Sequence, residues 1–522
     1  MVVAITAFGV AQLLPSDHNT ANTANTSDTA AGPAGVTEPA PGALDVAGGF
    51  LDAFSSGDAQ AAAALTDDPA AATATLTALW RSLSPASVTA GRDALVAPGA
   101  AATTAAESFT LTWDLGAGRA WTYDTALELV RDKEWRVRWD PALVHPDLTA
   151  GHSLALRDQT DRPAVVDRDG GTLLTWTATG TAPPAGAIAP VLLPGMGRQA
   201  ARGAWYVALV DSKGTDVAVL HGTPAPALKS TVSRPVQLAA QAAVDTQRQP
   251  TMLVAIRPST GDLLAVAQNS AAGNGPVALQ GLFPPGSTFK IATATALVEA
   301  GRADVGTVVP CPGSVTVGGR TIRNADFELG DVPLRTAFAQ SCNTTFALGT
   351  EGLPPDALPR AADQLGLGAD FLIPGVTTEL GSVPSAADPV QQVENSIGQG
   401  TVQVSCLGMA LVSATVAAGH AVTPRLWPDH ATEVTAGYEA PPPGVIGSLR
   451  TMMRDVVTSG RAKALAGLGA VHGKTGTAET GGSAHGWFTG FRDDLAFTVL
   501  VQDGQSSSVA VGVTKTFLGA LG

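Results

Sequence analysis

The chain is 522 residues long, which suits about two to four domains with a large core, yet only 15% of its residues are charged and its formal net charge is −14. So acidic a chain supplies no basic face for phosphate backbones, which excludes nucleic acid as a partner. Its three cysteines, Cys311, Cys342 and Cys406, form neither a CxxC pair nor a Cys/His metal spacing, so no metal and no cofactor is expected; at most one internal disulfide is possible.

The first fourteen residues, MVVAITAFGVAQLL (1–14), are apolar and carry no Lys or Arg. The run is shorter than the roughly 20 residues a spanning helix needs and lacks the charged start of a signal peptide. From 15 to 43 the chain is polar and Pro/Ala/Thr-rich, with Val36 as its large hydrophobe until the next element, so it reads as a flexible linker. Together the two segments are expected to be the remnant of a membrane anchor and an extracytoplasmic tether.

Residues 44–145 read as a small α+β domain. Leu44, Ala47, Phe50, Leu51 and Phe54 share one helix face that ends at Gly57, and Leu76, Leu79, Trp80 and Leu83 mark a second helix before Pro85. The period then changes to two, with Phe109, Leu111 and Trp113, and later Trp135, Val137 and Trp139, alternating with polar residues as in half-buried antiparallel strands. No catalytic cluster lies here, so spacing or recognition is the expected role. From 146 to 235, PAVVDRDGGTLLTW gives two strands around an Asp-Gly-Gly turn, and Trp205–Val210 and Val217–Leu220 continue a β-rich pedestal. A segment starting near Ser230 is expected to retain the chemistry without these modules, provided that removing the pedestal does not expose a large apolar patch and cause aggregation.

From 236 a helix runs through Val244 and a hairpin follows, with strands Met252–Ile256 and Leu263–Ala267 around a Pro-Ser-Thr-Gly turn. It leads to PPGSTFKIATATALVEAG (284–301). Pro284, Pro285 and Gly286 delay the helix until Ser287, Ile291, Ala294, Leu297 and Val298 recur at helical spacing, and Gly301 stops it. Ser287 therefore stands in a first turn, where free N–H groups favour developing negative charge, with Lys290 on the same face. Seven lysines in the whole chain make one on an apolar helix face notable. Buried beside other cations, a lysine can be neutral enough to serve as base for a serine nucleophile.

Two further stretches carry candidate chemistry. AFAQSCNTTFALG projects Ser341 and Asn343 from the start of a helix beginning at Thr344, with Cys342 between them read as a small buried hydrophobe. VHGKTGTAE puts Lys474, Thr475 and Thr477 on a strand that turns into a second strand at Ala496–Val501, and Gly476 is expected to let an extended substrate approach the backbone.

Ordered along the chain, SxxK at Ser287, SxN at Ser341 and KTG at Lys474 resemble the penicillin-recognising acyl-serine transferases. AIRPSTGDLLAVAQ, PPGSTFKIAT, SCNTTFA, ENSIGQGTVQVSCLGMALVSATVAAG and KTGTAE with GWFTGF extend the likeness to the transpeptidase domain of class B high-molecular-mass penicillin-binding proteins over 236–522. VVDRDGG resembles the start of that family's pedestal or dimerisation domain, and 44–145 resembles its NTF2-like extension. The sequence departs from the family's pattern at Cys406, where proline is usual, and at Arg461, where threonine is commoner.

The resemblance implies a multidomain α+β protein with an NTF2-like domain, a β-rich pedestal and an α/β domain whose central antiparallel sheet is flanked by helices. It implies a D,D-transpeptidase that crosslinks peptidoglycan stem peptides and is acylated by β-lactams. Ser287 is then the nucleophile and Lys290 its base, while Ser341 relays a proton and Asn343 binds the substrate amide. Lys474 adds positive charge, Thr475, Gly476 and Thr477 hold the substrate, and the N–H groups of Ser287 and Thr477 form the oxyanion hole. A glycosyltransferase partner and attachment to the outer face of the cell membrane are expected. A serine β-lactamase or a non-catalytic β-lactam sensor or scaffold are the alternatives; no ExxLN-like loop supports the first, and no signalling helix pair the second.

Overall fold

The computed structural model describes residues 42–92, 98–158, 164–177, 180–182, 188, 191 and 204–522, so the apolar run at 1–14 and nearly all of the linker lie outside the described residues. Among the described residues no helix is long and apolar enough to cross a membrane. Two compact units divide at Asp147/Leu148.

The first unit opens with helices Ala43–Ser56, Ala59–Ala64 and Pro69–Leu83. Gly57, at φ 81°, stops the first, and Asp68 starts the third by accepting a hydrogen bond from Ala71 N at 3.1 Å ahead of Pro69. A four-stranded antiparallel sheet follows in sequence order: Ser87–Arg92, Thr104–Asp114, Ala120–Arg131 and Trp135–Val137. Phe50 and Phe54 bury against its inner face, with Phe54 edge-on to Trp113 at 5.8 Å. Leu44 is a correction to the sequence reading: it is one of the exposed large hydrophobics, at 36%. The sequence reading also missed the strand Ala120–Arg131, whose Ala, Leu and Glu content suits a helix. Pairing with Thr104–Asp114 along its whole length overrides that preference, burying Trp121, Leu127 and Leu129.

In the second unit, Ser153–Asp158, Trp205–Val210 and Asp216–Thr223 make a three-stranded sheet, and Val165–Val166, Thr172–Thr177, Gly180–Ala182 and Leu228–Lys229 a smaller one. This β-rich part shares its core with the rest of the unit: Val165, Leu173, Leu174 and Val232 belong to the same buried cluster as the main sheet. Asp262 joins the two parts, taking Arg168 Nη1 at 3.4 Å and Arg425 Nε at 2.6 Å.

The main sheet is five-stranded and antiparallel, in spatial order Leu263–Gln268, Thr251–Ile256, Leu495–Val501, Ala484–Arg492 and His472–Glu479. Every residue of the first two strands is buried, which requires cover on both faces. The helix Cys406–Ala418 packs against the sheet, as do Arg234–Val244 and Ser507–Gly519, which also pack against each other. Cys406 occupies the first helical position, where proline is favoured, so the change leaves the helix start intact. The strand Ala484–Arg492 was not foreseen, since GWFTGF reads as a loop when the glycines count as breakers. Here Gly486 and Gly490 admit close backbone approach within a fully paired strand.

Candidate active site

The edge strand His472–Glu479 and the turn before the helix Lys290–Glu299 meet at a cleft of about 760 Å³ whose walls include Ser287, Ser341, Asn343, Thr475 and Thr477. Ser287 does not stand in the α-helix itself: Gly286–Phe289 form a 3-10 turn and Lys290 is the first residue of the helix proper. The turn is pressed against the edge strand. Gly286 has φ 52°, and a Cβ there would run into Thr477 O, while a Cβ at Gly476 would lie 2.7 Å from Pro285 O and 2.9 Å from Thr288 Cγ2. Gly476 thus gives the nucleophile turn its place against the strand, a different reason for glycine from the substrate approach the sequence suggested.

Lys290 and Lys474 are both fully buried. Lys290 Nζ donates to Asn343 Oδ1 at 2.6 Å and Ser341 O at 2.9 Å, and lies 3.4 Å from Ser341 Oγ. Lys474 Nζ donates to Ser341 Oγ at 2.8 Å and to Thr475 O at 3.0 Å. Phe346 lies beneath Lys290 and Phe338 beneath Lys474, each 5.4 Å from ring centroid to nitrogen. Burial first, then the charges of Lys474 and Arg461, hold the Lys290 pKa well below the usual lysine value. Burial first and Arg461 second push Lys474 down to about 7. Among the described residues no hydrogen bond joins Lys290 Nζ to Ser287; such bonds often tighten only when substrate is bound.

The loop carrying Ser341 is held from several sides. Ser341 has φ 63°, an unfavourable region for a serine, and its neighbour Cys342 is joined to Cys311 by a disulfide rather than being only a small buried hydrophobe. Cys311 ends the strand Val308–Cys311, so the bridge ties the loop to the two-stranded sheet that this strand makes with Gly330–Pro333. Asn324, absent from the sequence reading, caps the helix Asn343–Gly349 from outside: its Oδ1 accepts from Asn343 N at 2.7 Å and Thr344 N at 3.3 Å. No local signal marks Asn324, because its partners are far along the chain. On the opposite wall, Ser507 N donates to Thr477 Oγ1 at 3.1 Å, which leaves the Thr477 hydroxyl hydrogen free to point elsewhere.

The family of penicillin binding protein transpeptidase domains matches residues 251–519, and the NTF2-like N-terminal transpeptidase domain matches 42–152. The peptidoglycan D,D-transpeptidase PbpA of Mycobacterium tuberculosis is 29% identical over 321 residues, covering 50% of this chain and 63% of that protein. PbpA of Mycolicibacterium smegmatis is 32% identical over 269 residues, covering 45% and 53%. The chain thus spans less than two thirds of the length of these relatives. The crystal structure of Pseudomonas aeruginosa PBP2 shares the fold at TM-score 0.57 and 22% identity, covering 70% of this chain and 97% of that one. The D,D-transpeptidase domain from Eggerthella lenta does so at 0.56 and 23%, covering 70% and 98%. Because the matched segment is more than half of the chain and contains every residue of the cleft described above, this protein belongs to the family of penicillin-binding protein transpeptidase domains, preceded by an NTF2-like N-terminal transpeptidase domain.

Proposed function

We propose that the protein is a serine D,D-transpeptidase that crosslinks peptidoglycan stem peptides through an acyl-enzyme on Ser287 and is inhibited covalently by β-lactams. The observation that carries the reading is the shared network of two buried lysines through Ser341, set beside the half-buried Ser287.

In this reading neutral Lys290 takes the proton of Ser287 as Oγ attacks the carbonyl of the penultimate D-alanine. The tetrahedral oxyanion is held by the N–H groups of Ser287 and Thr477, the latter on a strand that is the edge of the main sheet among the described residues. Ser341, bonded to Lys474, passes a proton to the departing amine. The released D-alanine leaves an ester on Ser287, which an amine from a second stem resolves. Asn343 holds the substrate amide, Thr475 and Thr477 the terminal carboxylate, and Gly476 the close contact of turn and strand.

We further propose the division 44–145, 146–235 and 236–522 for the NTF2-like, pedestal and transpeptidase parts. The apolar run at 1–14 and the polar linker at 15–43 support attachment to the outer face of the cell membrane, and crosslinking of stem peptides calls for a glycosyltransferase partner that polymerises the glycan.

Intact-mass measurement with a fluorescent penicillin tests the reading. A single adduct mapped to Ser287 and absent from Ser287→Ala is expected, persisting on the order of minutes or more, a deacylation barrier above about 20 kcal/mol. An adduct on Ser341 would overturn the mechanism. Rapid multiple-turnover hydrolysis would favour the β-lactamase alternative.

A further inference from the structure

We infer that Arg461 binds the free carboxylate of the amino acid that departs from Ser287 during acylation, and so selects acyl donors that end in a free acid. The inference rests on the transpeptidase reading and adds a residue to it.

Arg461 lies on the cleft wall just beyond the helix Pro443–Thr458. Three contacts fix its segment to the Ser341 loop: Arg461 N donates to Ala339 O at 3.2 Å, Gln340 Nε2 to Ser459 O at 3.0 Å, and Arg461 Nε to Gln340 O at 3.1 Å. The two segments touch so closely at Gly460 that a Cβ there would meet Ala339 O. The guanidinium itself stacks on Phe327, 4.6 Å from the ring centroid. Its position is therefore set before any ligand arrives, which reduces the ordering cost of binding.

Among the described residues the charge has no counter-ion. Only Nε is used, so both terminal NH2 groups lack an acceptor among the described residues, and no carboxylate lies within ion-pair distance. Of the two carboxylates on the cleft wall, Glu394 is taken by Arg320 at 2.9 Å, and Glu479 lies on the edge strand beyond Thr477. A fork of unpaired N–H donors in a cleft fits a carboxylate, which it can hold through two parallel hydrogen bonds.

Its placement selects which carboxylate. Arg461 is anchored to the residue before Ser341, and Ser341 is the group bonded to Lys474 that hands a proton to the leaving amine. The part of the donor that reaches this flank is the leaving group, a D-amino acid whose α-carboxylate lies two bonds from that amine nitrogen. Arg461 would then share the carboxylate with the hydroxyls of Thr475 and Thr477. Its charge helps to lower the pKa of both buried lysines, in keeping with a place beside the lysine pair.

The test compares acylation of the full chain by benzylpenicillin, whose ring carboxylate occupies the leaving-group side, and by its uncharged methyl ester. The acid-to-ester ratio of second-order acylation constants cancels changes in Lys290 as a base, which act on both compounds; read above pH 7, where Lys474 is largely neutral, it reports the guanidinium. In Arg461→Gln the ratio is expected to fall about tenfold, the size of one charge-assisted contact. Arg461→Lys, which keeps the charge without the fork, is expected to fall between, and it serves as the second variant if the glutamine protein fails to fold. A ratio unchanged in either folded variant, with both rates lowered together, would overturn the inference while leaving the proposed function standing. Failure of benzylpenicillin to label the wild-type protein would overturn both.

Discussion

Lys474 Nζ donates to Ser341 Oγ at 2.8 Å, so the serine hydroxyl is left with its own hydrogen to give. Lys290 Nζ lies 3.4 Å from the same oxygen and spends donors on Asn343 Oδ1 and Ser341 O. A neutral amine has two N–H groups and one lone pair; with both N–H groups used, the lone pair of Lys290 is free for a hydroxyl. In the proposed reaction one lysine is thus placed to give a proton and the other to take one.

Replacing Lys290 with Ala is expected to lower the benzylpenicillin acylation constant about 10²- to 10⁴-fold, the usual size of a lost general base. Lys290→Arg is expected to be no better, since a guanidinium stays charged at any working pH. Stopped-flow acylation of the two variants checks this, and an active arginine variant would remove Lys290 from the role of base.

The acylation constant is expected to fall on the acid side as Lys290, held below the usual lysine range by burial and by the charges of Lys474 and Arg461, takes up a proton and stops acting as base; the limb reports the coupled lysine pair. Arg461 disfavours protonation of both lysines, so Arg461→Gln should raise their pKa values and move the acid limb to higher pH. Stability follows the same sign. Both lysines have a folded pKa below the unfolded one, so the unfolded chain binds more protons in the interval between, and stability rises with pH from about 7 towards the ordinary lysine range. Chemical denaturation between pH 7 and 9 reads this directly, and a falling stability would contradict the burial of both groups.

The Cys311–Cys342 disulfide closes a loop with a sequence separation of 31, for which chain entropy gives a stabilisation of about 3–4 kcal/mol. Reduction with dithiothreitol, or Cys311→Ala with Cys342→Ala, is expected to lower the melting temperature and to slow acylation, because the bridge holds the residue between Ser341 and Asn343. Unchanged acylation after verified reduction would show that Asn324 and the backbone contacts suffice to hold the loop.

A chain starting at residue 148 is expected to acylate at a rate within about threefold of the longer protein, because the cleft lies wholly in the second unit. One starting near Ser230 would strip Val165, Leu173 and Leu174 from the shared core and leave Asp262 without Arg168. Exposing that apolar surface should cause aggregation or an early melt, the condition the sequence expectation sets on such a segment. A soluble, cooperatively melting 230–522 segment would show that the β-rich part contributes little to the core.

Short-range features were legible in the sequence because they depend on neighbours. The helix faces around Phe50 and Leu79, the hairpin before the nucleophile and the pairing of Ser287 with Lys290 follow from spacing and from Pro and Gly breaks. Ser341 and Lys474 were recognisable only as motifs, since nothing local brings them within 2.8 Å of each other. The rest needed contacts between distant segments. The order of the main sheet puts Thr251–Ile256 beside Leu495–Val501, and only that pairing makes Ala484–Arg492 an inner strand and His472–Glu479 the edge strand among the described residues. Asn324, the Cys311–Cys342 bridge and the cleft position of Arg461 are likewise products of packing. The sequence determined which groups can do the chemistry, whereas tertiary structure decided their charge, because the lysine pKa values depend on burial and on cations contributed from elsewhere in the chain.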